Sequence, residues 1–377
     1  MPIKVLSVFG TRPEAIKMAP IIREMRQRSR EFESVVCVTA QHRQMLDQIL
    51  QSFSVTADYD LNLMQHAQSP AQVASRVLAE MPAILDQVRP DMVLVQGDTT
   101  TTLATALASF LGQYPVGHVE AGLRTGNLQA PFPEEMNRRV ATVVSALHFT
   151  PTREASNALL REGVPNERIV LTGNTVIDAL LQSIRPDYIF DEPALRELPH
   201  DSRILLVTTH RRESIGEPMR QVCQAILRLK QAHANLTVVI PTHRNPAVRE
   251  IVVGTLGGQP GIILIDPLHY LDFVHLMARS HIILTDSGGV QEEAPSLKRP
   301  VLVVRDVTER PEGVAAGVAK LLGTDPERIF NAVNTLLIDP SAYRAMVGAV
   351  NPYGDGHAAK YTADAILEWH RTTRRAK

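Results

Sequence analysis

Short β-branched, apolar runs, each followed by a helical stretch, recur along this 377-residue chain. No other feature limits its fold as much. Ile3–Phe9, Val35–Thr39, Met92–Gln96, Val116–Glu120 and Leu147–Thr150 read as strands. Between them, Pro13–Arg26, Arg43–Phe53 and Thr100–Leu111 read as helices, and Pro133 opens another. These runs alternate little between polar and apolar residues, as strands buried on both faces do. Pro13 suits the first position of a helix, and Pro20 is expected to kink that helix. The pattern then restarts with Ile204–Thr208, Leu236–Ile240, Ile262–Ile265, Ile282–Leu284 and Val301–Val304. Strand–helix alternation predicts a mostly parallel sheet covered on both faces. Its restart predicts two doubly wound α/β domains, joined near Leu171–Leu180. Ala358–Arg375 reads as a closing amphipathic helix with cations at its favourable end.

Composition removes several functions. Lys plus Arg number 39 and Asp plus Glu 40, so the net charge of -1 leaves no footprint for nucleic acid. Aromatic residues make up 5%, too few for a base-stacking surface. No apolar run approaches ~18 residues, so no membrane span is expected. MPIKVLSVFG enters a strand without a signal-peptide layout, and a cytoplasmic enzyme is expected. Cys37 and Cys223 sit in apolar segments and read as buried, reduced thiols. No GxGxxG follows the first strand, so no dinucleotide cofactor is signalled.

Ligands of open parallel sheets bind outside the carboxyl ends of the strands. In the first half those ends carry Arg12, Lys17, Asp98, Glu120 and, opening a helix behind Pro131-Phe132-Pro133, Glu134. In the second half they carry His210-Arg211-Arg212, His243-Arg244 and Asp286-Ser287-Gly288-Gly289. One rim is acidic, and the other is rich in His, Arg and Gly. Two glycines at a strand-to-helix turn let backbone N–H groups approach a ligand closely. The helix start behind them favours a phosphate, and Glu293, one turn in, is placed for the hydroxyls of a ribose. A nucleoside diphosphate fits. The same residues read equally as a plain turn with acids offsetting a helix dipole. Asp98 reads as well as a helix cap, Glu134 as a first-turn acid, and Lys17 as a snorkelling surface residue. Glu120 is harder to dismiss, because a carboxylate ending an apolar strand needs partners. His118-Val119-Glu120 sets two metal-ligand types along one strand side without a third at characteristic spacing, so no metal is expected.

Ten stretches together carry a resemblance that none carries alone. They are Phe9–Pro20, Thr39–Gln48, Gln96–Thr102, Gly117–Gly126, Pro131–Arg138, Thr172–Leu180, His210–Ser214, Leu284–Leu297, Arg305–Glu312 and Asn351–Gly356. Over nearly its whole length the chain resembles the bacterial non-hydrolysing UDP-N-acetylglucosamine 2-epimerases. That resemblance implies two Rossmann-like domains facing across a cleft, as in glycosyltransferases of the B type. It implies an acid–base domain over 1–170, a UDP-binding domain over 171–357, and a C-terminal helix, 358–377, packed back on the first. It implies a homodimer that interconverts UDP-GlcNAc and UDP-ManNAc without cofactor or metal, supplying ManNAc units for envelope polysaccharide. UDP would leave first, giving 2-acetamidoglucal, and then return.

By the same resemblance Asp98, Glu120 and Glu134 are the acid–base carboxylates, and His210 with Arg12 and Lys17 stabilises departing UDP. Ser287, Gly288 and Gly289 hold the diphosphate, Glu293 the ribose, and Arg310 and Phe273 make further substrate contacts. Gln41, Gln44, Arg212 and His243 match a site at which the substrate activates the enzyme. Ala67 stands where relatives often carry Arg, and Thr242 and Arg244 replace the usual Val and Leu. Activation is therefore expected to be weak. The nearest alternative is a hydrolysing epimerase releasing ManNAc and UDP, which normally occurs fused to a sugar kinase. A retaining glycosyltransferase would have little use for three converging carboxylates. A non-catalytic sensor would gain nothing from burying them.

Overall fold

β1 (Ile3–Phe9) shows why the strands form. Val5, Leu6, Val8 and Phe9 are fully buried, so side chains on both faces of the strand meet other side chains. The computed structural model describes residues 1–39, 43–63, 68–199, 201–209, 211 and 214–375; the side chains of 43–45, 374 and 375 lie outside it. Two compact units emerge: Met1–Ala179 with Tyr353–Lys377, and Leu180–Pro352.

In the first unit, α1 (Arg12–Gln27), β2 (Phe32–Val38), α2 (Arg43–Ser52), β3 (Tyr59–Asp60) and α3 (Pro70–Val88) follow β1. Then come β4 (Met92–Gln96), α4 (Thr100–Leu111), β5 (Val116–Val119), α5 (Glu134–Val144), β6 (Leu147–Thr150), α6 (Arg153–Arg161), β7 (Ile169–Leu171) and α7 (Thr175–Ser183), whose last four residues lie beyond the boundary at Ala179. Helix α1 runs through Pro20 to Gln27. The sheet is parallel throughout, in the order β3-β2-β1-β4-β5-β6-β7.

The second unit holds α8 (Pro193–Arg196), β8 (Arg203–Thr208), α9 (Glu217–Ala232), β9 (Leu236–Pro241), α10 (Pro246–Leu256), β10 (Ile262–Ile265), α11 (Tyr270–Arg279) and β11 (Ile282–Thr285). It continues with α12 (Gly288–Glu293), β12 (Val301–Val303), α13 (Pro311–Ala315), β13 (Ala319–Leu321), α14 (Pro326–Ile338) and α15 (Pro340–Gly348). Its sheet is also parallel, in the order β10-β9-β8-β11-β12-β13. The core of this unit packs Leu205 and Leu284 against Ile226, Leu229 and Val333 of α9 and α14.

α16 (Ala358–Arg375) returns to the first unit. It buries Ala363 and Ile366, and Asp364 accepts from Arg28 of α1 at 2.6 Å. Among the described residues no helix is long and apolar enough to cross a membrane.

Each sheet reverses its direction of winding once, between β1 and β4 in the first unit and between β8 and β11 in the second. Those are the crevices where an open α/β sheet accepts a ligand.

Candidate active site

At the first crevice the chain leaves β1 through Gly10. A Cβ there would sit 2.1 Å from Thr39 Oγ1, so only glycine fits. Glu14, 2% exposed, then folds back over the turn. It accepts from Gly10 N at 3.1 Å, Thr11 N at 2.8 Å and, across the crevice, Thr99 Oγ1 at 2.8 Å. Burial raises its carboxyl above the ordinary value, although these donors oppose the shift. Glu14 thereby ties the turn after β1 to the turn after β4.

Asp98 lies in that second turn. Its Oδ2 accepts from Arg138 Nε at 2.9 Å and Nη2 at 2.6 Å, and its carbonyl accepts from Asn137 Nδ2 at 2.8 Å. It does not cap α4; Thr99 does, accepting from Thr102 N at 3.1 Å. Behind the turn, buried His118 donates through Nε2 to Gly97 O at 2.7 Å, and its Nδ1 has no partner. Burial pushes this imidazole down to about 4 despite the carbonyl. His118 thus supports the backbone of the turn.

Glu120 departs from the expected strand end. β5 stops at Val119, and Glu120 takes φ +61, a left-handed conformation that costs a non-glycine residue roughly 1–2 kcal/mol. The turn swings its carboxylate, 8% exposed, onto three donors. Lys17 Nζ and Asn174 Nδ2 (3.1 Å) reach Oε1, and Gln96 Nε2 reaches Oε2. Lys17, read from sequence as a phosphate partner, is therefore paired with Glu120.

Glu134 opens α5, the helix that also carries Asn137 and Arg138, and its Oε2 is buried without a hydrogen-bond partner. Its neighbour Glu135 is fully buried and differently employed. It accepts from Thr125 N at 3.1 Å, Gly126 N at 3.2 Å and the guanidinium groups of Arg138 and Arg139. Burial pushes its carboxyl up, but those donors outweigh burial and leave it below the ordinary value. Glu135 holds the loop ahead of α5. Asp98 and Glu120 thus stand at the carboxyl ends of β4 and β5, and α5, which Glu134 opens, reaches Asp98 through Asn137 and Arg138. Arg12 begins α1 at the same edge.

At the crevice of the second unit, Asp286 is fully buried and accepts from Arg211 N at 2.9 Å. Ser287, Gly288 and Gly289 turn from β11 into α12. A Cβ built on Gly288 would lie 3.8 Å from Nη2 of both Arg211 and Arg310, so two guanidinium groups border the turn. Arg310 pairs with Glu292, and Arg211 with Glu309 at 3.3 Å. Thr308 donates to Gln291 at 2.6 Å, securing the loop before α13 to α12. A Cβ on Gly289 would lie 3.8 Å from Glu293 Oε1, so that carboxylate also faces the turn. Phe273 is half-buried on α11. His243 is exposed after β9 and accepts from Asn245 N at 3.1 Å. His210, Gln41, Arg212 and Ala67 lie outside the described residues, as does the side chain of Gln44, which belongs to α2.

Among the described residues one trio has metal-ligand geometry, Asp191, His269 and Asp272. Asp272 already accepts from Tyr188 Oη at 2.8 Å and the N–H groups of Asp191 (3.0 Å) and Glu192 (2.9 Å), so it serves to hold that loop.

Sequence reasoning missed Glu14, Gln96, Arg138 and Asn174. Glu14 had a signal, since Thr11 and Glu14 have the spacing of a capping box.

Comparison with known proteins matches this geometry to one family. A family model described as UDP-N-acetylglucosamine 2-epimerase matches residues 23–367. The UDP-N-acetylglucosamine 2-epimerase of Escherichia coli (strain K12) is 52% identical over 96% of this chain and 98% of its own. That of Bacillus subtilis (strain 168) is 51% identical over 97% and 95%. The structure of Neisseria meningitidis UDP-GlcNAc 2-epimerase bound to UDP-GlcNAc superposes with a TM-score of 0.86 at 48% identity, covering 97% of this chain and all of that one. A glycotransferase of kitacinnamycin, 14% identical with a TM-score of 0.64, shares the fold alone. With the match carried over nearly the whole chain, the chain belongs to the UDP-N-acetylglucosamine 2-epimerase family.

Proposed function

We propose that the protein is a non-hydrolysing epimerase that interconverts UDP-GlcNAc and UDP-ManNAc. The observation that carries this reading is that Asp98 and Glu120 stand just past the neighbouring strands β4 and β5, while α5, the helix that Glu134 opens, holds Asp98 through Arg138. The difficulty of the reaction is that C2–H is not next to a carbonyl and is very weakly acidic. Breaking the C1–O bond first sends the electron pair out with UDP and leaves positive charge shared by C1 and the ring oxygen. That charge acidifies C2–H. A carboxylate takes the proton, the C2–H pair forms the C1=C2 double bond of 2-acetamidoglucal, and no net charge is left on the sugar. Reprotonation of C2 from the other face and return of UDP to C1 give the epimer. Proton transfers of this kind require carboxylates within reach of C2, and departing UDP requires cations and N–H donors.

Glu134, with an unpartnered buried oxygen, is the carboxylate least committed to protein donors and the best suited to exchange a proton. Asp98, held by Arg138, and Glu120, held by Lys17, suit the stabilisation of positive charge on the sugar and a second proton transfer. The Ser287-Gly288-Gly289 turn, bordered by Arg211 and Arg310, suits the diphosphate, with His210, Arg12 and Lys17 receiving charge as UDP leaves. Glu293 takes the ribose hydroxyls, and Phe273 lies beside the base. Gln41, Gln44, Arg212 and His243 remain the proposed activation site.

The protein is also proposed to work as a homodimer. In the first unit a groove of about 780 Å³, lined by Tyr114, Val144 and Trp369, adjoins exposed Phe110, Leu111 and Val143. This is an apolar face suited to a second copy.

The test is UDP-GlcNAc incubated alone in D₂O and followed by NMR. UDP-ManNAc with deuterium at C2 is expected, and an ¹⁸O label in the C1–O–P bridge should move to nonbridging positions. Free ManNAc would identify a hydrolase instead. Deuterium at C2 with the label unmoved would overturn elimination.

A further inference from the structure

Thr172–Leu180 and Asn351–Gly356 receive no role from the resemblance, yet their backbones meet at Asn174 and Tyr353. Asn351 Nδ2 donates to Glu292 O at 3.0 Å and Ser296 Oγ at 2.6 Å, both just beyond the Ser287-Gly288-Gly289 turn. Pro352 follows, with its φ fixed by its ring. Tyr353, 2% exposed, accepts through its carbonyl from Asn174 N at 2.7 Å. The backbones are in close approach here: Gly173 has φ +85, and a Cβ on it would lie 3.0 Å from Gly354 Cα.

Asn174 itself is 3% exposed and fully oriented. Its Oδ1 accepts from Val176 N at 3.1 Å, capping α7, which aims Nδ2 at Glu120 Oε1, 3.1 Å away. An aspartate would cap the helix equally well. It would offer Glu120 no donor and would set a second negative charge against it. The choice of amide over carboxylate at this position is therefore explained by Glu120 and not by the helix.

We infer that Asn174 is a positioning residue for the Glu120 carboxylate, and that Asn351–Tyr353 is a short strap that steadies the backbone on which Asn174 rests. The inference rests on the epimerase reading for its consequence, not for its geometry. A donor on the charged form fixes the direction of the carboxylate and favours its ionised state, alongside Lys17 and Gln96. Asn351 stands two residues before the carbonyl that receives Asn174 N, so loss of its hydrogen bonds loosens the backbone on which Asn174, and through it Glu120, depends.

The variants N174D, N174A, N351A and N174A/N351A test this, with Glu120 followed by carboxyl ¹³C NMR and its signal assigned by loss in E120Q. That titration needs no turnover. A protein that fails to epimerise UDP-GlcNAc would thus refute the function while leaving this inference open to its own test. N174D keeps the cap and should raise the pH at which Glu120 titrates by roughly one pH unit or more, through the adjacent like charge. With substrate, kcat should fall about tenfold while KM stays within about twofold, the mark of a group acting in the transition state. N351A should also move the Glu120 titration, and should add nothing further in the N174A background, because the two sites act through one path. A lower melting temperature with the Glu120 titration unmoved would reduce Asn174 to a cap and overturn the inference. Independent, additive shifts from N174A and N351A would overturn the strap.

Discussion

The two sheets share one winding order, yet opposite chemistry stands at their crevices. At the first, carboxylates are gripped by amides and cations: Glu120 by Gln96, Asn174 and Lys17, Asp98 by Arg138. At the second, a glycine turn lies between guanidinium groups that are themselves held by Glu292 and Glu309. Strand order decides where a ligand can bind; the residues just past each strand decide what is done to it. The first crevice is closed in by side chains held in place. The second leaves space beside the backbone. Proton transfer needs the former, and close approach to a phosphate needs the latter.

The contrast breaks most sharply at Glu120. E120Q should lower kcat by roughly 10²–10⁴ while UDP binding, measured by calorimetry, stays close to that of the wild type. If UDP binding fails as severely as turnover, the two crevices do not divide the work.

His118 tests whether the first crevice owes its shape to a neutral imidazole. Its folded value of about 4 lies below the ordinary 6.5, so the unfolded chain takes up the proton first as pH falls. Stability contributed by the neutral form is present above the unfolded value and is lost between pH 6.5 and 4, by up to about 3 kcal/mol. The variant H118N keeps a donor for Gly97 O and should lack this slope in denaturant unfolding at successive pH values. An equal slope in both proteins would remove His118 from the account.

Glu135 sharpens the comparison from the structural side. E135Q replaces an acceptor of four donors with an amide, and should cost roughly 1–3 kcal/mol of stability, the penalty for buried groups left unpaired. Its effect on kcat should be small beside that of E120Q. Comparable losses in kcat would move Glu135 into the acid–base set.

The smallest expected effect on folding lies at Gly288. A methyl group there meets nothing closer than 3.8 Å, so G288A should melt with the wild type. Binding of UDP should nevertheless weaken by roughly 10- to 200-fold, the range for one misplaced methylene in a fitted site. Unchanged affinity would show that no phosphate approaches the turn.

Apart from the edge strand β10, the strands legible in the sequence lie inside their sheets. β1, β4 and β8 are buried on both faces, and unbroken β-branched runs follow from that. β3, β7 and β13 were not foreseen. They are edge strands of two or three residues, half-exposed, so burial does not dictate their composition. The site divides in the same way. Asp98, Glu120 and the glycine turn could be singled out because they follow strands, and Glu134 because it opens a helix behind two prolines. Asn174, Gln96 and Arg138 did not, because what they do depends on which carboxylate each one meets across the fold. Glu120 also illustrates the limit of pattern. Its apolar strand was read one residue too long, since nothing in Val116–Val119 announces the left-handed turn that follows.

The return of α16 to α1 has a consequence for the making of the protein. The first unit is assembled from residues at both ends of the chain, with all of Leu180–Pro352 synthesised in between. At the usual pace of a ribosome that interval lasts roughly 10 to 35 s. For that time α1 stands without the helix that packs against it, and the surface that will receive Ala363 and Ile366 faces water. The second unit, continuous in sequence, has no such wait. A newborn chain is therefore most vulnerable to aggregation in its older half, and a chaperone that shields it has its use there until the last helix arrives.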